Sequence, residues 1–120
     1  MKFDEHKPIY LQISDTICEK ILNDEYQEEE RIPSIRELGG VLGVNPNTVM
    51  RSYEYLKSME IIYDKRGVGF FISKNAKREV KKMYKKEFLN NELPEIIKKM
   101  RLLDIDVDEI VSIIKSATAE

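Results

Sequence analysis

Five residues within a span of eight, Asn45, Asn47, Thr48, Arg51 and Ser52, carry side chains that can hydrogen-bond or pack against the edges of nucleic-acid bases. An Asn amide can bond adenine N6 and N7 together, a Thr methyl can pack on thymine, and an Arg guanidinium can bond guanine or phosphate. Two smaller groups flank this cluster. Ser34 and Arg36 lie upstream of it, and Lys65, Arg66 and Gly67 make a basic, glycine-containing tip downstream. Such a tip can bring backbone close to DNA and place a cation in a minor groove or on a phosphate. Each group also has a purely structural reading. Asn45 can act as a helix cap, Lys65 and Arg66 as an ordinary charged turn, and Arg36 as half of an exposed salt bridge worth about 0.2–1 kcal/mol.

The elements that must hold these residues are written into the stretch IPSIRELGGVLGVNPNTVMRSYEYLKSMEIIYDKRGVGFFIS, from Ile32 to Ser73. Ser34 with Glu37 three residues on is a capping box that opens a first helix, and Asn45 followed by Pro46 opens a second. Gly43 stands between them, where a tight turn can use a positive φ. Ile61, Ile62 and Tyr63, a tip of Asp64 to Val68, and Phe70, Phe71 and Ile72 then spell a hairpin. The apolar positions Ile35, Leu38, Val41, Leu42, Val44, Val49, Tyr53, Leu56 and Met59 read as core, which turns the polar cluster outward. Helix, turn, helix and hairpin in this order make a winged helix-turn-helix, whose second helix enters the major groove N-terminus first.

These residues also carry a family resemblance. PSIRELGGVLGVNPNTVMRSYEYLKSMEII followed by RGVGFFIS resembles the DNA-binding domain of GntR-family bacterial transcription regulators. Their pattern is roughly PS-x-R-E-L-A, then L-G-V-x-x-x-T-V, an apolar or aromatic heptad, and R-x-G-x-G-x-F-V. The resemblance implies that Arg36 reaches DNA. The short tail is similar to that of the YtrA-like branch, in which a small helical segment replaces a large effector domain. That likeness implies a dimer, and an ABC-transporter operon together with the regulator's own gene as targets. Many relatives carry arginine where this chain has Met50, so an operator of more A·T character is expected here.

Composition narrows the functional classes. The chain has 120 residues, 42% hydrophobic and 35% charged, with a formal net charge of −2. That length suits one compact domain with a small appendage. No run of residues has membrane-spanning apolar length, and the start MKFDEHKPIY lacks the apolar centre of a signal peptide, so a cytoplasmic location is expected. One Cys and one His cannot make a usual zinc site. With no phosphate-binding glycine loop and no nucleophile paired to a base, the sequence predicts no enzyme, no metal and no cofactor. Residues 1–75 hold 10 basic and 13 acidic side chains. A reader of specific sequence needs local rather than global positive charge, so its cations must be concentrated at the contact surface.

Before the motif, PIYLQISDTICEKILN from Pro8 to Asn23 repeats isoleucine at positions 9, 13, 17 and 21, an amphipathic helix that closes the back of the core. Cys18 beside the stripe reads as a small filler. Asp24 to Arg31, DEYQEEER, reads as a solvated acidic connection. Beyond Ser73, Lys74 to Asn91 is helical with Lys77, Arg78, Lys81, Lys82, Lys85 and Lys86 on one half of its circumference. Pro94 opens a next helix, and Asp106 with Glu109 forms a capping-box pattern for the last. Short helices with this much apolar surface cannot form an independent core. Val80, Tyr84, Ile97, Met100, Ile110, Val111 and Ile114 are therefore expected to meet the same tail of a second subunit in a two-fold homodimer.

The sequence thus predicts a mainly α protein: a winged helix-turn-helix over 1–75 and a helical dimerisation segment over 76–120. The expected function is a dimeric repressor on a palindromic operator in double-stranded DNA, with any small-molecule effector left open. The alternative is a winged helix that binds protein, which would show an apolar outer face on its second helix.

Overall fold

The computed structural model describes residues 6–119. Helix α1 spans Ile9–Leu22, with Pro8 as its N-cap. Its isoleucine repeat turns Ile13, Ile17 and Ile21 into the interior, while Ile9 at the open end of the stripe stays exposed. Cys18 is buried beside them.

Two short helices follow, each started by the signals read from sequence. Ahead of α2 (Ile35–Leu42), Ser34 Oγ accepts the Glu37 N–H at 3.1 Å and Glu37 Oε1 accepts the Ser34 N–H at 3.2 Å, a complete capping box. Gly43 ends α2 in the left-handed region, at φ 68°, and its N–H bonds the Gly39 carbonyl. Ahead of α3 (Pro46–Ser58), Asn45 Oδ1 accepts the Asn47 N–H at 2.8 Å, and Pro46 fills the first turn. A β-carbon at Gly39 would come within 3.1 Å of the Val44 carbonyl, so α2 passes closely under the turn into α3.

The wing is an antiparallel hairpin of β2 (Ile62–Lys65) and β3 (Gly69–Ile72), in a register that sets Tyr63 opposite Phe71 and Lys65 opposite Gly69. Its turn closes with the Val68 N–H on the Lys65 carbonyl at 2.8 Å, and Gly67 supplies the positive φ of 79° that the turn requires. A third strand, β1 (Arg31–Ile32), pairs with β3 and gives the sheet order β1-β3-β2. The acidic connection before it is more than a solvated loop. Glu28 Oε1 accepts the Asn75 N–H at 2.9 Å, and Tyr63 donates its hydroxyl to Glu29 Oε2 at 2.6 Å. That bond raises the Tyr63 pKa above the ordinary phenol value. Glu29 itself adopts a left-handed φ of 66°.

Val49, Tyr53 and Leu56 of α3 share the core with the buried residues of α1 and with Ile32, Ile61, Ile62 and Ile72 of the sheet region. The Tyr53 ring meets Phe70 edge-on at 4.9 Å and donates its hydroxyl to the Pro33 carbonyl at 2.6 Å, tying α3 to the entry of α2. Burial pushes its phenol pKa well up. Two expected core residues lie outside. Val41 is 80% exposed on the outer side of α2, and Met59, 41% exposed, caps α3 beyond its last turn.

The chain divides into two compact units, one running to Lys82 and one from Met83. The boundary therefore falls inside helix α4 (Ala76–Glu87) rather than ahead of it. Ala76 and Val80, in its first turns, are fully buried. Val80, expected at a subunit contact, thus has no surface left to offer a partner. In the second unit the helix does not break at Asn90 and Asn91 but continues as a π turn over Phe88–Glu92 into α5 (Leu93–Leu102). The wider turn sits directly before Pro94, which cannot donate an N–H to a regular helix. After Asp104 comes α6 (Val107–Thr118). Its expected capping box does not form. Asp106 makes no side-chain cap, and its carbonyl accepts the Glu109 and Ile110 N–H groups of the first turn.

The capping box of α2 gives a pH dependence. Hydrogen bonds from Ser34, first from its backbone N–H, hold the Glu37 carboxyl below its ordinary value of 4.5. A carboxylate whose folded pKa is depressed contributes stability above its unfolded pKa and loses it as pH falls through the folded one. Glu37→Gln should therefore flatten the acid limb of the stability curve below about pH 4.5. Ser34→Ala should cost about 1 kcal/mol at neutral pH. Urea denaturation at a series of pH values measures both.

Candidate nucleic-acid interface

The first two turns of α3 present an outer face that is polar except for the exposed Met50. Asn45, Asn47 and Arg51 are exposed and Thr48 is half-buried. Asn45 uses its Oδ1 to cap the helix, so its carbonyl end is engaged. Ser34 likewise serves as a cap acceptor, and Arg36 stands exposed in the first turn of α2. Lys65, Arg66 and Gly67 are exposed at the tip of the wing, with the Lys65 ammonium 5.7 Å from the Phe71 ring.

Ser52 does not belong to this surface. Its side chain is fully buried, and its Oγ lies 2.7 Å from Ser14 Oγ in α1. One residue along a helix turns a side chain by about 100°, so with Arg51 outward Ser52 faces α1. Ser14 gives its one hydroxyl proton to the Tyr10 carbonyl at 2.8 Å, which leaves Ser52 as the donor in the Ser14 pair.

Tyr10 is the residue that sequence reading passed over. It lines a shallow groove of about 410 Å³ together with Asn47, Thr48 and Arg51, between the start of α1 and the start of α3. The Arg51 guanidinium carbon lies 4.1 Å from the centre of the Tyr10 ring. The aromatic residue two places after Pro8, at the mouth of an isoleucine stripe, was the available signal.

A helix-turn-helix with a capped, polar second helix and a basic wing is the architecture of a DNA reader. The model of the family described as bacterial regulatory proteins, gntR family, matches residues 9–72. The chain belongs to the GntR family. It is a DNA-binding transcriptional regulator and not an enzyme. The GntR match extends into the tail through full-length relatives. The uncharacterized HTH-type transcriptional regulator YhcF of Bacillus subtilis is 33% identical over 117 residues, covering 98% of this chain and 95% of the relative. The HTH-type transcriptional repressor YtrA of the same organism is 31% identical over 113 residues, 94% of this chain and 86% of the relative. A solved GntR-family regulator from Bacteroides thetaiotaomicron is 46% identical with a TM-score of 0.77, covering 90% of this chain and 94% of that one. Among the described residues no helix is long and apolar enough to cross a membrane.

Because Ser52 is structural, Ser52→Ala should lower stability by about 1 kcal/mol through the lost buried hydrogen bond. Once folding is accounted for, it should keep the same preferred DNA sequence, because Ser52 itself is buried, while weakening the preference for it as α1 loosens on α3. Thermal melts and selection of bound duplexes from a random pool test the two halves.

Proposed function

We propose that this regulator is a cytoplasmic, dimeric repressor that occupies a palindromic operator. Asn47, Thr48 and Arg51 read bases, and Arg36 and the wing residues Lys65, Arg66 and Gly67 hold phosphates or a minor groove. The observation that carries the reading is the outer face of α3, where Asn45, Asn47, Thr48 and Arg51 are polar and Met50 is the one exposed large apolar side chain, while Val49, Tyr53 and Leu56 are buried in the core. A protein-binding winged helix needs the opposite distribution. Among the described residues, Arg36, Arg51, Lys65 and Arg66 take part in no salt bridge, so their charge is available to a phosphate backbone. Repression follows the name of the YtrA relative, and an ABC-transporter operon as target is what the resemblance of the tail to the YtrA-like branch implies.

The dimer rests on the second unit. No described residue of α5 or α6 is buried, and Ile97, Val111 and Ile114 are exposed while Met100 and Ile110 are half-buried. Helices with that much uncovered apolar surface are stabilised by a second copy of themselves. Two subunits then present two recognition helices, and binding of the first half-site holds the second at high effective concentration.

Arg51→Ala and Arg36→Ala should each weaken operator binding, with Arg51→Ala costing about 1–3 kcal/mol if its contact is to a base, while both variants stay folded and Arg51→Ala loses no more stability than the ~0.5–1 kcal/mol of its contact with Tyr10. Unchanged affinity in both would remove the proposed contact surface. Ile110→Asp should sediment as a monomer and lose cooperative occupation of the palindrome. A variant that still sediments as a dimer would place the interface elsewhere.

A further inference from the structure

Arg51 is a long, exposed side chain that must be held still if it is to discriminate bases, and the structure holds it by a residue from another helix. Arg51 and Tyr55 are one turn apart on α3 and so share a face. The Tyr10 ring of α1 sits against both. The Arg51 guanidinium carbon is 4.1 Å from its centre, and the Tyr55 ring meets it edge-on at 6.2 Å and 77°.

We propose that Tyr10 is the positioning residue for Arg51 in operator recognition, so that the start of α1 sets part of the sequence preference of α3. This rests on the reading of Arg51 as a DNA-contacting group. Three observations support it. The attraction of a cation to a ring face uses no carboxylate, and among the described residues Arg51 has no acidic partner. Its N–H donors are therefore not committed to an anion before DNA arrives. The backbone that carries the ring is itself fixed. The Tyr10 carbonyl accepts the Ser14 hydroxyl, and Ser14 pairs with buried Ser52, the residue next to Arg51 on α3. The register of α1 on α3 is thus locked one residue from the side chain that Tyr10 holds. Finally, Asn47 and Thr48 line the same groove, so an Arg51 held on Tyr10 lies beside the other proposed base readers.

The test is a double-mutant cycle on the full chain. Fluorescence anisotropy is read against the duplex that the parent protein selects from a random-sequence pool, and against random DNA. Tyr10→Leu should weaken binding to the selected duplex by about three- to tenfold, the cost of ordering one long side chain that is no longer held in place before binding. Tyr10→Phe, which keeps the ring, should stay within about twofold of the parent. In an Arg51→Ala background, Tyr10→Leu should have no further effect. The ratio of selected to random affinity is the decisive readout, because a partly unfolded variant loses both in proportion whereas a mispositioned Arg51 lowers the ratio. A Tyr10→Leu loss of equal size with and without Arg51 would overturn the proposal while leaving Arg51 as a contact. An unchanged ratio in Tyr10→Leu would do the same. No loss in Arg51→Ala alone would overturn the proposal together with the reading it rests on.

Discussion

The packing of α1 against α3 is the constraint on which the rest depends. A recognition helix must leave its polar face uncovered, so it can be held only from behind. Ile13, Ile17 and Ile21 on one side and Val49, Tyr53 and Leu56 on the other supply the apolar burial, and the Ser14–Ser52 hydrogen bond supplies direction within it. Apolar packing alone tolerates sliding, whereas a buried polar pair is satisfied in one register. That register decides that Arg51 faces out while Ser52 faces in. Tyr53, bonded to the Pro33 carbonyl, extends the same fixation to the entry of α2.

Electrostatics follow from where the chain spends its carboxylates. With a net charge of −2 the protein offers no general attraction to DNA. Yet part of the acidic excess is used within the fold. Glu28 binds the Asn75 backbone, Glu29 the Tyr63 hydroxyl, and Glu37 the start of its own helix, while Asp24 pairs with Lys77. Cations proposed to meet DNA are left without such partners. A regulator built this way depends on a correct match of shape and bases rather than on bulk charge, which disfavours binding to arbitrary sequence.

What could be read in the sequence was local. The capping box at Ser34, the Asn45–Pro46 start, the turn at Gly43 and the hairpin from Ile61 to Ile72 are each specified by residues a few positions apart, and each is present. What escaped reading depends on distant partners. Ser52 looked like a surface residue because it is polar, and its own polar partner lies 38 positions away in α1. Strand β1 is two residues long, too short to show an alternating pattern. Tyr10 belongs to a helix whose isoleucine repeat points to the back of the core, yet its ring lies against Arg51 and Tyr55 of α3. Val80 follows the same rule. Its helix continues across the end of the winged unit, and only the packing of Ala76 and Val80 shows where that unit stops.

The proposal that the outer face of α3 reads a particular DNA sequence is open to direct measurement. It is tested most directly by fluorescence anisotropy of the purified chain on the DNA upstream of its own gene and on random duplex, across a salt series. Binding to the upstream fragment is expected to be tighter at every salt concentration, with affinity falling as salt rises because phosphate contacts release counterions. Equal binding to both duplexes, and equal binding again to fragments selected from the whole genome, would contradict it.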